Sequence, residues 1–169
     1  RSVTADEVRE LVKELDPEIR PVGVFVNAPM ELVRTLLDDG TLALAQLHGQ
    51  EDESYIRELK TYTDKLIIKA FSIKIAEDIE KALQSSADYI LLDQGGGGTG
   101  KTFDWSLIPE IQRPFFLAGG IGASNLGQAI REIHPYAVDL SSSVETEKRK
   151  DPMKIRQVVD IVREIKIIN

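Results

Sequence analysis

Six short apolar runs, each separated from the next by a longer amphipathic stretch, constrain this chain more than any other feature. The runs are Val22–Val26, Ala43–Leu47, Leu66–Ala70, Tyr89–Asp93, Phe115–Ala118 and Ala137–Leu140. They are nearly continuous rather than alternating, which is the pattern of parallel strands buried on both faces. The stretches around them predict helices over Thr4–Leu15, Met30–Leu37, Asp52–Leu59, Ala76–Gln84, Ser124–Ile133 and Pro152–Ile165. Thr4 and Glu7 stand at capping-box spacing, and Pro29 and Pro152 sit where a first helical turn tolerates proline. Ile155, Val158, Val159 and Val162 mark an apolar stripe on the last helix. Strands alternating with helices mean a parallel α/β fold. No composition break or linker divides the 169 residues, which read as one domain.

In a parallel α/β protein, ligands bind beyond the C-terminal ends of the strands. The polar and special residues of this chain collect there: Asn27, His48-Gly49, Asp93, Gly119-Gly120 and Ser141-Ser142-Ser143. Eight of the twelve glycines fall between Gly95 and Gly122, so the loops after the strands are where function is expected. Composition narrows the choice. With 21 basic and 28 acidic residues the net charge is −7, which argues against a nucleic-acid partner, since such proteins need a basic stripe to displace counterions. No apolar run approaches the ~20 residues that span a bilayer, and Arg1 to Arg9 has no signal-peptide pattern. With no cysteine and only His48 and His134, a disulfide framework and a zinc centre are not expected. The profile is that of an acidic cytoplasmic protein without a membrane or metal requirement.

Gly95-Gly96-Gly97-Gly98-Thr99-Gly100-Lys101-Thr102 matches the Walker A pattern and follows a strand, as a phosphate-cradling loop should. A P-loop, however, opens directly into a helix whose N-terminus receives the phosphates. Here Phe103-Asp104-Trp105 follows and Pro109 interrupts, while Asp139 is a weak Walker B candidate. Nucleotide hydrolysis and a surface loop without chemistry remain as alternatives.

Three segments in order resemble the phosphoribosylanthranilate isomerase family of tryptophan biosynthesis. The first is Gln46-Leu47-His48-Gly49, preceded by Val22-Gly23-Val24-Phe25-Val26-Asn27. The second is Leu91-Leu92-Asp93 with the glycine loop and Gly98-Thr99-Gly100-Lys101-Thr102-Phe103-Asp104-Trp105. The third is Leu117-Ala118-Gly119-Gly120-Ile121, then Ala137-Val138-Asp139-Leu140-Ser141-Ser142 and Val144-Glu145. The resemblance covers nearly the whole chain. It implies a (β/α)8 TIM barrel of the ribulose-phosphate-binding type. The implied reaction is an Amadori rearrangement of N-(5-phosphoribosyl)anthranilate to 1-(2-carboxyphenylamino)-1-deoxyribulose 5-phosphate. That acid/base chemistry needs no metal or organic cofactor.

The resemblance assigns roles residue by residue. Asp93 matches the general acid, and its place at the end of an apolar strand offers partial desolvation that would raise its pKa. Gly119, Gly120, Ser141 and Ser142 match the two loops that hold substrate phosphate, with the helix after Ser124 offering its positive end. Gln46, His48 and Asp139 match pocket positions, and Arg1 matches the arginine that binds the anthranilate carboxylate. Ser143 stands where the family often has glycine. Trp105 reads as a packing anchor and His134 as an ordinary loop histidine.

A (β/α)8 barrel has eight strands, and six are evident. The family's general base is a cysteine in a Lys-Ile-Cys-Gly segment on the first strand, and Arg1-Ser2-Val3 aligns just after the second. The expectation is a single barrel domain over 1–169, N-terminally incomplete by roughly one βαβ unit of about 30 residues. These residues alone are then expected to be inactive. The expected partner is a small phosphorylated substrate, with the chain a monomer or homodimer. Another phosphoribose-handling barrel, such as an indole-glycerol-phosphate synthase relative, and a non-catalytic phosphosugar-binding fragment are the competing readings.

Overall fold

The computed structural model describes residues 3–95 and 102–168. It divides into two compact units, one of Arg1–Ala70 with Ser85–Tyr89 and the other of Phe71–Gln84 with Ile90–Asn169. The predicted alternation is present in both.

In the first unit, α1 (Ala5–Lys13) leads to β1 (Val22–Phe25), α2 (Met30–Asp38), β2 (Leu44–Leu47), α3 (Glu53–Tyr62) and β3 (Leu66–Ser72), whose last two residues belong to the second unit. The capping box at α1 is formed: Glu7 Oε2 accepts from the Thr4 amide at 2.6 Å, and Thr4 Oγ1 accepts from the Glu7 amide at 3.3 Å. Asp52 caps α3 by accepting from the Tyr55 amide at 2.9 Å. β1, β2 and β3 pair in parallel, with Val22 opposite Leu44 and Leu44 opposite Leu66. All four residues of β2 are buried, so the continuous apolar run is explained by cover on both faces. Phe25, Val33, Leu37, Leu47, Ile56 and Ile67 belong to the core of this unit. β1 differs. Among the described residues it pairs only with β2, and Val24 is 61% exposed.

The second unit continues with α4 (Ala76–Leu83), β4 (Tyr89–Asp93, whose first residue belongs to the first unit), β5 (Phe115–Leu117), α5 (Leu126–Ile133), β6 (Ala137–Val138) and α6 (Pro152–Ile168). β4, β5 and β6 pair in parallel in chain order, Ile90 opposite Phe115 and Phe116 opposite Ala137. Its core includes Ile79, Ile90, Leu92, Leu117 and Leu126. Trp105 packs against this core from a 3₁₀ turn, Trp105–Leu107, as the anchoring role requires. His134 is the exposed left-handed cap of α5, at φ +51.

Two of the departures from the sequence expectation concern the C-terminal part of the chain. The line of α6 that packs on the core runs through Val158, Ile161 and Val162, with Ile165 buried beyond it, whereas Ile155 and Val159 are 40% and 39% exposed. The spacing of three and four is retained, but the stripe is rotated toward the C-terminus. A small antiparallel hairpin, β7 (Glu145–Thr146) and β8 (Arg149–Lys150), stands where no strand was expected. Its turn places Glu147 and Lys148 at positive φ without glycine or asparagine, so it carries no turn signal in the sequence. No helix among the described residues is long and apolar enough to cross a membrane.

Candidate active site

In the second unit the chain emerging from each strand brings predicted residues together. Asp93 is the last residue of β4 and half-buried, and its carbonyl accepts from the Ile73 amide at 2.7 Å. Beyond β5 the backbone enters the left-handed region twice, at Gly119 (φ +81) and Gly120 (φ +68). Glycine is needed at the first of these on two counts. A side chain there would be strained, and a Cβ would stand 2.6 Å from both Asp93 Oδ1 and the Gln94 nitrogen. The carboxylate therefore lies directly against the glycine turn.

The same turn leads into α5. Asn125 Oδ1 accepts from the Gly122 amide at 2.8 Å, and Asn125 Nδ2 donates to the Gly120 carbonyl at 3.1 Å. Gly122 is thus committed to shaping the turn. Among the described residues the amides of Gly119, Gly120 and Ile121 have no hydrogen-bond partner. Ser141 precedes a second 3₁₀ turn, Ser142–Val144, and a Cβ on Gly122 would lie 3.1 Å from that of Ser143. The two predicted anion loops therefore touch. Asp139 follows β6, its amide donating to the Leu117 carbonyl at 2.9 Å. Lys150 Nζ donates to the Ser141 carbonyl at 2.8 Å and pairs with Glu145 at 3.0 Å, tying the hairpin to the serine turn. Backbone amides left unpaired beside a helix start are suited to receiving a phosphate dianion.

In the first unit Gln46 is buried and His48 half-buried at the end of β2. Gln46 Nε2 donates to His48 Nδ1 across 3.1 Å, so the two side chains share a face as strand alternation requires. Arg1 and the greater part of the glycine loop, 96–101, lie outside the described residues.

Sequence reasoning passed over a buried ion pair behind His48. Lys69 Nζ lies 3.1 Å from Glu51 Oε2, with side-chain exposures of 7% and 2%. Burial pushes the Glu51 carboxyl up, but hydrogen bonds from its own backbone amide, from Lys69 and from Asn27 hold it below the ordinary value. The available signal was a lysine inside the apolar run Leu66-Ile67-Ile68-Lys69-Ala70.

Parallel strands alternating with helices, and polar residues gathered after the strand ends, define a protein of the (β/α)-barrel enzyme class. Comparison with known proteins sharpens this. The chain belongs to the phosphoribosylanthranilate isomerase family, whose model, described as N-(5'phosphoribosyl)anthranilate (PRA) isomerase, matches residues 1–161. The N-(5'-phosphoribosyl)anthranilate isomerase of Endomicrobium trichonymphae is 44% identical over 155 residues, covering 89% of this chain and 76% of that protein. The crystal structure of the isomerase from Thermotoga maritima superimposes with a TM-score of 0.84 at 34% identity, over 96% of this chain and 82% of that one. A further isomerase structure, in complex with reduced 1-(o-carboxyphenylamino)-1-deoxyribulose 5-phosphate, matches with a TM-score of 0.81 at 32% identity, over 96% and 80%. The fold class is therefore α/β, that of the (β/α)8 barrel, with six parallel strands evident.

Proposed function

We propose that this chain carries out the isomerisation of its family with Asp93 as the general acid and the Gly119–Gly120 and Ser141–Ser142 turns as the phosphate site. The reaction is that of tryptophan biosynthesis, N-(5'-phosphoribosyl)anthranilate to 1-(2-carboxyphenylamino)-1-deoxyribulose 5-phosphate. The observation that carries the assignment is the wedge of Asp93 against Gly119, a proton donor adjoining an anion-binding turn.

The chemistry follows from those positions. Protonation of the furanose ring oxygen by Asp93 lets the anthranilate nitrogen lone pair expel it, opening the ring to a Schiff base. A base then removes the C2 proton, giving an enolamine. The proton returns at C1 as the C2 hydroxyl becomes a ketone, so the sum is an internal transfer of hydrogen that needs neither metal nor redox cofactor. Phosphate held by backbone amides fixes the sugar so that its ring oxygen faces the acid. Gln46, His48 and Asp139 are read as further substrate contacts, and Arg1 as the cation for the anthranilate carboxylate. The family's base is a cysteine, a residue type absent from this sequence, so on this reading the 169 residues alone do not turn over.

The exposed apolar edge of β1 supports a further part of the reading. It is that the chain forms part of one (β/α)8 barrel domain, with additional β and α elements pairing along β1. The acidic composition and a phosphorylated substrate that membranes retain favour a cytoplasmic enzyme, monomeric or homodimeric.

The test is Asp93→Asn in a chain joined to a strand-helix-strand segment bearing the cysteine. Loss of a positioned proton donor is expected to lower turnover by about 10²–10⁴, with product affinity held within about tenfold. Retention of more than about a tenth of the parental turnover contradicts the assignment.

A further inference from the structure

A salt bridge removed from water is poor support for stability, because desolvating two charges costs about as much as their attraction returns. The pair Lys69–Glu51, among the most buried charges in the first unit, therefore calls for another explanation. Its hydrogen bonds supply one. Lys69 Nζ donates to the Gly49 carbonyl at 2.8 Å and to the Leu47 carbonyl at 3.4 Å, the carbonyls on either side of His48. Glu51 accepts from the Gly49 amide at 2.8 Å and from the Asn27 amide at 2.7 Å. The His48 amide itself donates to the Phe25 carbonyl at 2.7 Å.

Every peptide group around His48 is thus fixed, most of them by this one pair. The geometry is tight: Asn27 sits at φ +52, its Oδ1 accepts from the Gln50 amide at 2.6 Å, and a Cβ on Gly49 would lie 2.6 Å from the Asn27 nitrogen. We propose that Lys69 and Glu51 are a positioning pair for His48. They clamp the backbone at the end of β2, where the hydrogen bond from Gln46 helps to orient the imidazole toward the substrate. The proposal rests on the reading that Gln46 and His48 touch substrate. An apolar pair of the same volume could supply equal stability but could not grip both the N–H and the C=O of Gly49. Function held to tight geometry needs such locked support.

The test compares ¹⁵N-labelled parental protein with Glu51→Gln, Lys69→Met and the double variant. Lys69→Met strands a buried carboxylate and is expected to lower the unfolding midpoint most, and the double variant recovers much of that loss. Stability and positioning separate in the next readout. In the double variant the His48 ring and Gly49 amide signals are expected to stay displaced or broadened, while those of Gly119–Gly122 keep their parental positions. If the double variant does not fold, Glu51→Gln, which retains one acceptor oxygen, is read the same way.

Binding of reduced 1-(2-carboxyphenylamino)-1-deoxyribulose 5-phosphate is expected to weaken about tenfold in the double variant, and no further when His48→Ala is added. Parental His48 and Gly49 signals in the folded double variant overturn the proposal, as does a loss of affinity that adds fully to that of His48→Ala. Failure of the underlying reading looks different. His48→Ala then leaves affinity unchanged although the His48 signals still move in the double variant, and the role in substrate positioning falls with it.

Discussion

At Gly119 the backbone takes φ +81, and an added Cβ would stand 2.6 Å from Oδ1 of Asp93. Gly119→Ala should therefore act twice. The left-handed conformation costs an alanine about 1–2 kcal/mol, read as a lower urea midpoint, and the displaced carboxylate should cost turnover beyond what stability explains. Unchanged stability and turnover would mean that the turn relaxes without consequence. Glu51 gives a prediction in pH. Its carboxyl is held below the ordinary 4.5, so its contribution is complete above that value and is lost as pH falls through the lower folded value. Urea midpoints measured from about pH 6 down to about pH 3 should fall more steeply for the parental chain than for the Glu51→Gln, Lys69→Met double variant. Equal slopes would contradict the ionic pairing. The sequence showed Asp93, Gly119 and the Gln46–His48 alternation because each belongs to a local pattern. Lys69 stood out only as a lysine inside an apolar run, and its pairing with Glu51 was not legible, since it is a meeting of side chains eighteen positions apart that no local period encodes.

The strands were legible as continuous apolar runs, and the helices where burial is periodic. β4 has the bounds its apolar run predicts, and the capping box at Thr4 formed as spaced. The less legible parts are those that other forces set. β6 stops at Val138, two residues short of its apolar run, as the chain turns at Asp139 toward the serine turn. The hairpin β7–β8 depends on lysines reaching carbonyls, Lys150 to Ser141 and Lys154 to Glu145 at 2.7 Å, rather than on strand composition. β1 is the element with the largest consequence. Val24 and Val26 are 61% and 65% exposed, above a groove of about 650 Å³ whose lining includes Val3, Val8, Leu32 and Leu42. An apolar edge of this kind templates association. The 169 residues on their own should bind a hydrophobic dye or self-associate, and Val24→Lys with Val26→Lys should reduce this while costing less than about 0.5 kcal/mol. A dye-silent monomer would contradict the proposed completion of the sheet along β1.

For the molecule as a whole, family membership and fold agree with what the ordered motifs implied, while the assignment of roles rests on where the chain turns after each strand. The two readings of its glycine-rich segments diverge at one point, the place where phosphate binds. The isomerase reading uses the Gly119–Gly120 and Ser141–Ser142 turns, and the Walker reading uses the loop from Gly95 to Thr102. Titration of inorganic phosphate into the ¹⁵N-labelled chain, followed amide by amide, decides between them without requiring turnover. Saturable shifts are expected to centre on the amides of Gly119, Gly120, Ser141 and Ser142 and their immediate neighbours, with Gly95 and Thr102 unmoved. Shifts confined to Gly95 through Thr102, with the Gly119 and Ser142 turns silent, would contradict the isomerase reading.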